Sequence, residues 1–365
     1  MIQILVADPN ITCRDLFAQA LTTVAGLTIL HTCPNGKLCL DNIRKHKPEM
    51  VVAAAELGDM NIVQFLAEAL AIAPHIGVVV VTKPDNPVQA NLAVLALGGG
   101  AFDYLVKPSL QCTEADLPHL TRLLAPKIMC FTINRFSEMA KRTAHSGGKK
   151  PVHGEPPQES APVIVKHLSS NNRYRVVLIG VSTGGPEALS RIMPLFPENF
   201  PLPLVIVLHM PKLFTGAMAK NLDAKSAITV HEAQDHDVLQ AGHAYLAPGG
   251  IHLVLDSGTR GNLIVKTQEG QPENGCKPAV DILFRSASRI VKEKAIGVIL
   301  TGMGVDGTSG ARALKDLGVP IIAQDEATSV VWGMPGNIVK SGIATEVLPL
   351  LQIPKKIVDM VTTND

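Results

Sequence analysis

The sequence predicts two α/β domains, each a doubly wound parallel sheet, the second carrying an antiparallel extension. Three observations predict it. Short apolar runs alternate with amphipathic helical patterns along 1–125, and do so again from residue 175. The apolar runs suit strands covered on both faces by helices. Between the two series lies a polar stretch rich in glycine and proline, with Ser146-Gly147-Gly148-Lys149-Lys150-Pro151 and Gly154-Glu155-Pro156-Pro157, which has linker chemistry. A length of 365 residues with 46% hydrophobic content suffices for two cores.

In the first domain, 1–125, strands are expected at 3–7, 27–31, 50–55, 77–82 and 104–106. Helices are expected at 12–23, 36–45, 61–72 and 87–97, with another after Cys112. A linker is assigned to 126–174. In the second domain, 175–355, strands are expected at 176–181, 204–208, 228–232, 244–247, 252–255, 263–266, 296–301 and 321–324. The stretch 228–266 lacks helical periodicity and contains Pro248-Gly249-Gly250, so it predicts the antiparallel extension. Residues 356–365 read as a tail.

Composition narrows the function. A formal charge of +1 argues against a general nucleic-acid or anionic-membrane binder, and 4% aromatics argue against a base-stacking surface. The apolar region 65–82 is interrupted by Glu68, Pro74 and His75, so no membrane insertion is expected. The N-terminus lacks a basic leader and runs straight into a strand pattern. The six cysteines (Cys13, Cys33, Cys39, Cys112, Cys130, Cys276) form no C-x-x-C pair, and read as reduced thiols of a cytoplasmic protein. His231 and His236 beside Asp235 and Asp237 match no strong ligand spacing. No metal and no cofactor are expected.

The chemistry-bearing segment is Ile179-Gly180-Val181-Ser182-Thr183-Gly184-Gly185-Pro186. It places a serine where an apolar strand breaks into a small-residue turn and a helix. A hydroxyl becomes a useful nucleophile there when a base and backbone N–H donors stand close by. Two other strand candidates end in His209 and, through Gly302-Met303-Gly304-Val305, in Asp306. The ends of parallel strands converge on one rim, so these three are candidate nucleophile, base and orienting carboxylate. Asp306 also fits as a cap of the helix that follows. The chain order Ser…His…Asp differs from the Ser…Asp…His order of α/β-hydrolases.

Six ordered blocks across 176–350 resemble the chemotaxis protein-glutamate methylesterases, the CheB family. They are Ser182-Thr183-Gly184-Gly185-Pro186, Leu208-His209-Met210-Pro211, Ala247-Pro248-Gly249-Gly250-Ile251-His252, Pro278-Ala279-Val280-Asp281-Ile282-Leu283-Phe284, Thr301-Gly302-Met303-Gly304-Val305-Asp306-Gly307, and Gln324-Asp325-Glu326-Ala327-Thr328-Ser329 through Gly333-Met334-Pro335. The resemblance implies hydrolysis of glutamate methyl esters on methyl-accepting chemoreceptors, and deamidation of receptor glutamines. It implies Ser182 as nucleophile, His209 as base, Asp306 as orienter, Thr183 as support and the Met303 backbone N–H as oxyanion donor. Two other readings stay open: an esterase acting on another protein, and a non-catalytic scaffold.

The first domain resembles a response-regulator receiver, with Thr82 after the fourth strand and Lys107-Pro108 after the fifth. Two positions depart from that pattern. Asp8-Pro9 stands where an acidic pair is expected, and Ala54 aligns with the phosphoacceptor aspartate. An alanine has no carboxylate to phosphorylate, and a lone Asp8 is a poor ligand set for Mg²⁺. A receiver-like domain without a phosphoacceptor is therefore expected, controlled instead by a regulatory protein partner or open without one.

Overall fold

The computed structural model describes residues 2–108, 112–145 and 173–362. The chain divides into two compact units, 1–154 and 155–365.

The first unit alternates β1 (Ile2–Ala7), α1 (Ile11–Thr22), β2 (Leu27–Cys33), α2 (Gly36–His46), β3 (Met50–Ala54), α3 (Ile62–Ile72), β4 (Gly77–Thr82), α4 (Pro87–Gly98), β5 (Asp103–Val106) and α5 (Leu117–His145). The sheet order is β2-β1-β3-β4-β5, all parallel. β3 and β4 are buried at every residue, which is why their sequences are uninterrupted apolar runs, whereas the edge strand β2 is largely half-exposed. Asparagines start four of the five helices. Asn10, Asn35, Asn61 and Asn86 each accept a backbone N–H of the first turn, from Cys13, Leu38, Gln64 and Gln89. Each such cap stabilises its helix by about 1 kcal/mol relative to alanine.

Two expectations for this unit need correction. The linker assigned from 126 begins inside α5, which continues to His145. Pro126 removes one backbone donor but does not end the helix, because the apolar stripe Leu120, Leu124, Ile128 runs through it, all fully buried. Residues 146–172 of the assigned linker lie outside the described residues. Secondly, Cys13 and Cys112 are disulfide-bonded rather than reduced, joining the start of α1 to the segment before α5 across 99 residues. No sequence spacing signals this pair; the packing of α1 on α5 brings them together.

The second unit contains β6 (Val176–Val181), α6 (Gly185–Ile192), β7 (Leu204–Leu208), α7 (Lys212–Asp223), β8 (Thr229–Glu232), β9 (His243–Leu246), β10 (His252–Ser257), β11 (Leu263–Gln268), α8 (Val280–Ile290), β12 (Ala295–Ile299), α9 (Thr308–Lys315), β13 (Ile321–Gln324), α10 (Met334–Lys340), β14 (Glu346–Leu348) and α11 (Ile353–Thr362). Seven strands make one parallel sheet in the order β14-β13-β12-β6-β7-β9-β8. β10 and β11 form a separate antiparallel pair that packs on α8. The antiparallel part is thus narrower than 228–266. β8 and β9 join the main sheet in parallel, because the loop 233–242 carries the chain back along the sheet without a helix. Residues 356–362 are not a tail: Ile353, Ile357 and Val361, one helical turn apart, are fully buried.

β6 lies between β7, the next strand in sequence, and β12, which arrives after the chain has crossed back. The sheet's switch point is therefore between β6 and β12, where parallel sheets place their ligand crevice. Ser182 follows β6 and Thr301–Asp306 follow β12.

Candidate active site

The register of β6 and β7 pairs Val181 with Leu208, so Ser182 and His209 are the next residues on adjacent strands. The His209 backbone N–H donates to Val181 O at 3.1 Å, and the Ser182 N–H donates to Thr301 O at 3.0 Å, beyond the end of β12. The nucleophile candidate is thus held by a backbone bond to the segment after β12, and the base candidate by one to the end of β6. Gly184 makes the sharp turn that follows, with φ +77, and a Cβ there would strike Val330.

Gly302 is the wall behind the serine. A Cβ at this position would sit 2.8 Å from Ser182 Cβ and also meet Met334 Sδ. Gly302→Ala is expected to displace Ser182 and lower kcat/KM by on the order of 10²-fold for a shift of about 1 Å, and to cost about 1–3 kcal/mol of stability because the new Cβ also overpacks the buried Met334. Steady-state kinetics with a calorimetric scan check this.

His209 Nε2–H donates to Asp306 Oδ2 at 2.8 Å. Asp306 is 2% exposed and lies at the N-terminus of α8, not merely at the start of α9. Its Oδ2 also accepts the Val280 N–H at 2.7 Å; its Oδ1 accepts those of Asp281 and Gly307, both at 3.0 Å. Burial opposes this charge, but the His209 bond and these amides outweigh it, and the carboxyl pKa lies below its ordinary value. For His209, burial lowers the imidazole pKa, while the bonds to Asp306 and Cys276 raise it further, to about 9. Both shifts favour the imidazolium–carboxylate pair.

With Nε2 committed to Asp306, Nδ1 is the nitrogen left to accept a proton. It faces Cys276 Sγ at 3.5 Å. Sequence reasoning did not place Cys276 here, 67 residues away; its only local signal is the Asn274-Gly275 turn before it. Among the described residues no hydrogen bond joins the Ser182 hydroxyl to the imidazole. Such bonds commonly tighten when substrate closes the site. Also among the described residues, neither the Thr183 nor the Met303 backbone N–H has an acceptor. The Thr183 carbonyl accepts from Thr301 Oγ1 at 2.9 Å, and Met303 is 36% exposed on the rim. His231 and His236 do not join this cluster; each lies near a surface aspartate, Asp237 and Asp235.

In the first unit, Asp8 and Lys107 form a buried pair, Lys107 Nζ to Asp8 Oδ2 at 2.6 Å, each 5% exposed. Ala54 ends β3, while Thr82 ends β4 with its hydroxyl directed to Leu105 O. The nearby acids are engaged. Glu56 accepts from Gln89 Nε2 at 2.7 Å, and Asp59 accepts the Gly36 and Lys37 N–H groups at the start of α2. Burial raises the Asp59 carboxyl pKa, but those amides prevail and hold it low. One carboxylate already paired with a lysine does not fit the several oxygens of an octahedral Mg²⁺ site.

The CheB methylesterase family model matches residues 177–357, and the response regulator receiver domain model matches residues 4–116. A protein-glutamate methylesterase/protein-glutamine glutaminase of Trichodesmium erythraeum is 32% identical over 358 residues, covering 98% of each chain. A Vibrio vulnificus protein of the same name, numbered 1, is 33% identical over 370 residues, covering 97% of each. The crystal structure of the Thermotoga maritima CheB methylesterase catalytic domain matches with 44% identity and a TM-score of 0.50, covering 52% of this chain and 99% of that one.

Proposed function

This chain belongs to the CheB methylesterase family, and we propose that it performs the family's reaction through Ser182, His209 and Asp306. The reaction is hydrolysis of methyl esters on glutamate side chains of chemoreceptors in chemotaxis signalling, with deamidation of glutamine as the parallel activity. The observation that carries the residue assignment is the 2.8 Å bond from His209 to Asp306, set one strand away from Ser182.

Ser182 Oγ attacks the ester carbonyl as His209 Nδ1 takes its proton. The carbonyl oxygen becomes an oxyanion, which accepts the free N–H groups of Met303 and Thr183. The imidazolium, held by Asp306, then protonates the departing methoxide, and methanol leaves. Water enters, gives a proton to Nδ1 and attacks the acyl-serine; the glutamate carboxylate is released and the serine is restored. With a glutamine side chain the same steps release ammonia. None of them requires a metal or cofactor. Among the described residues no helix is long and apolar enough to cross a membrane. We assign the protein to the cytoplasm, where the receptor segments it acts on would be met.

The first unit is a receiver-like domain that cannot take up phosphate by the usual route. Its aligned acceptor is Ala54, and Lys107 and Asp8 neutralise each other. Its control then falls to a protein partner that binds one conformation better than another. Incubation with acetyl phosphate and Mg²⁺ is expected to leave the intact mass of the protein unchanged. A stoichiometric phosphate adduct within 1–145 overturns this reading.

A further inference from the structure

The thiol of Cys276 is not a chance neighbour of the imidazole. Glu273 and Cys276 exchange both backbone bonds, at 3.0 and 2.9 Å, around Asn274 (φ 53) and Gly275 (φ 76). Two central residues with positive φ make a tight hairpin turn of the kind Asn-Gly favours. The turn is fastened to α8: Glu273 takes two bonds from Arg285, at 2.7 and 2.5 Å, and Asn274 Nδ2 donates to Asp281 Oδ2 at 2.9 Å. Cys276 Sγ is thereby held 3.5 Å from His209 Nδ1.

That separation has a specific chemical meaning. Zinc bonds imidazole nitrogen at about 2.0–2.1 Å and thiolate sulfur at about 2.3 Å, so at a tetrahedral angle the two ligand atoms stand roughly 3.5–3.6 Å apart. Nδ1 is also the nitrogen with the free lone pair in the neutral ring, because Nε2–H is bound to Asp306. A carboxylate holding the far nitrogen of a ligating histidine is the outer-shell arrangement zinc sites use. His209, Cys276 and Asp306 offer atoms that all lie within 4.8 Å of one another. Asp306 belongs to the outer shell here, since its oxygens are already taken by Nε2–H and three backbone amides.

We propose that His209 Nδ1 and Cys276 Sγ bind Zn²⁺ and that this metal reversibly switches the esterase off. Solvent, or the Ser182 hydroxyl, fills the remaining positions. Two protein ligands make the site weaker than a closed structural one, so the metal exchanges with the medium. Binding releases the thiol proton to solvent and occupies the lone pair that the serine proton needs. The metal site stands on geometry alone; its effect on activity rests on His209 acting as the base.

The full-length protein is titrated with Zn²⁺ while methanol release is followed, each variant being compared with its own metal-free rate. In the unsubstituted protein the rate falls and EDTA restores it. In Cys276→Ala, half-inhibition requires more zinc by a larger factor than the roughly 10–100-fold that loss of an outer-shell partner costs. Cys276→Ser, which keeps the turn residue small and polar, behaves likewise. Co²⁺ supplies a readout independent of activity: a sulfur-to-cobalt charge-transfer band, absent from both variants. Cys33, Cys39 and Cys130 are common to all three proteins, so the difference spectrum isolates Cys276. Equal zinc sensitivity in wild type and variants, or a cobalt band that survives the substitutions, overturns the proposal. A protein that shows the cobalt band but releases no methanol overturns the catalytic reading instead.

Discussion

Ser182→Ala is expected to lower methanol release from methylated receptor by on the order of 10⁴-fold or more, with KM nearly unchanged. On the proposed mechanism the substitution removes the atom that would form the acyl-enzyme, and it leaves the rest of the site standing. Ser182 N–H still bonds Thr301 O, and an alanine Cβ occupies the place of the serine Cβ against Gly302. Fold and stability should therefore persist, and a native melting profile accompanies the loss. Residual activity above that of water is expected from the proposed oxyanion donors Met303 and Thr183 polarising the carbonyl. Methanol assayed in single-turnover and steady-state modes measures the effect. A fluorophosphonate probe gives an independent reading: the wild type is labelled at Ser182, the variant is not. An unlabelled wild type would favour the non-catalytic scaffold, and a variant with undiminished turnover would remove Ser182 from the mechanism.

Ser182 and His209 were legible as neighbours because each directly follows an apolar strand, and adjacent parallel strands deliver their ends to one rim. Asp306 was legible for a related reason, six residues beyond Leu300, the last of the buried apolar run at the end of its strand. Its rival reading, a cap for the following helix, turns out to coexist with the contact to His209: Asp306 accepts the Gly307 N–H as well as those at the start of α8. Cys276 was not legible, since its place depends on a turn pinned to α8 by Glu273–Arg285, a contact no local pattern announces. The same holds for Cys13–Cys112, whose partners are far apart in sequence. The linker expected from 126 is helix as far as His145, because the buried stripe Leu120, Leu124 and Ile128 carries α5 through Pro126. β8 and β9 were read as antiparallel because no helix lies between them, yet a ten-residue loop is long enough to return the chain along four-residue strands. Local chemistry thus indicated what stands at strand ends, and long-range packing determined what closes over them.

Asp306→Asn is expected to lower kcat/KM by on the order of 10³–10⁴-fold and to change its pH profile. In the wild type the carboxylate accepts Nε2–H, which leaves the Nδ1 lone pair available for the serine proton. An asparagine that keeps its oxygen on the backbone N–H groups of Asp281 and Gly307 turns its amide toward Nε2, at the cost of the Val280 N–H bond. The imidazole then adopts the other tautomer, accepting at Nε2 and carrying its proton on Nδ1, where it cannot act as a base. The pH consequence has a definite sign. His209 must be neutral to accept a proton, and its pKa is raised to about 9, so wild-type kcat/KM climbs with pH until about 9 and then levels. Removing the negative charge removes one of the causes that hold the pKa up, so the residual activity of the variant levels at a lower pH. A solely structural role for Asp306 would reduce stability and the amount of active enzyme, leaving the midpoint of the acid limb where it was. A profile with an unmoved midpoint and a full-sized rate would place the orienting carboxylate elsewhere, and with it the identity of the base.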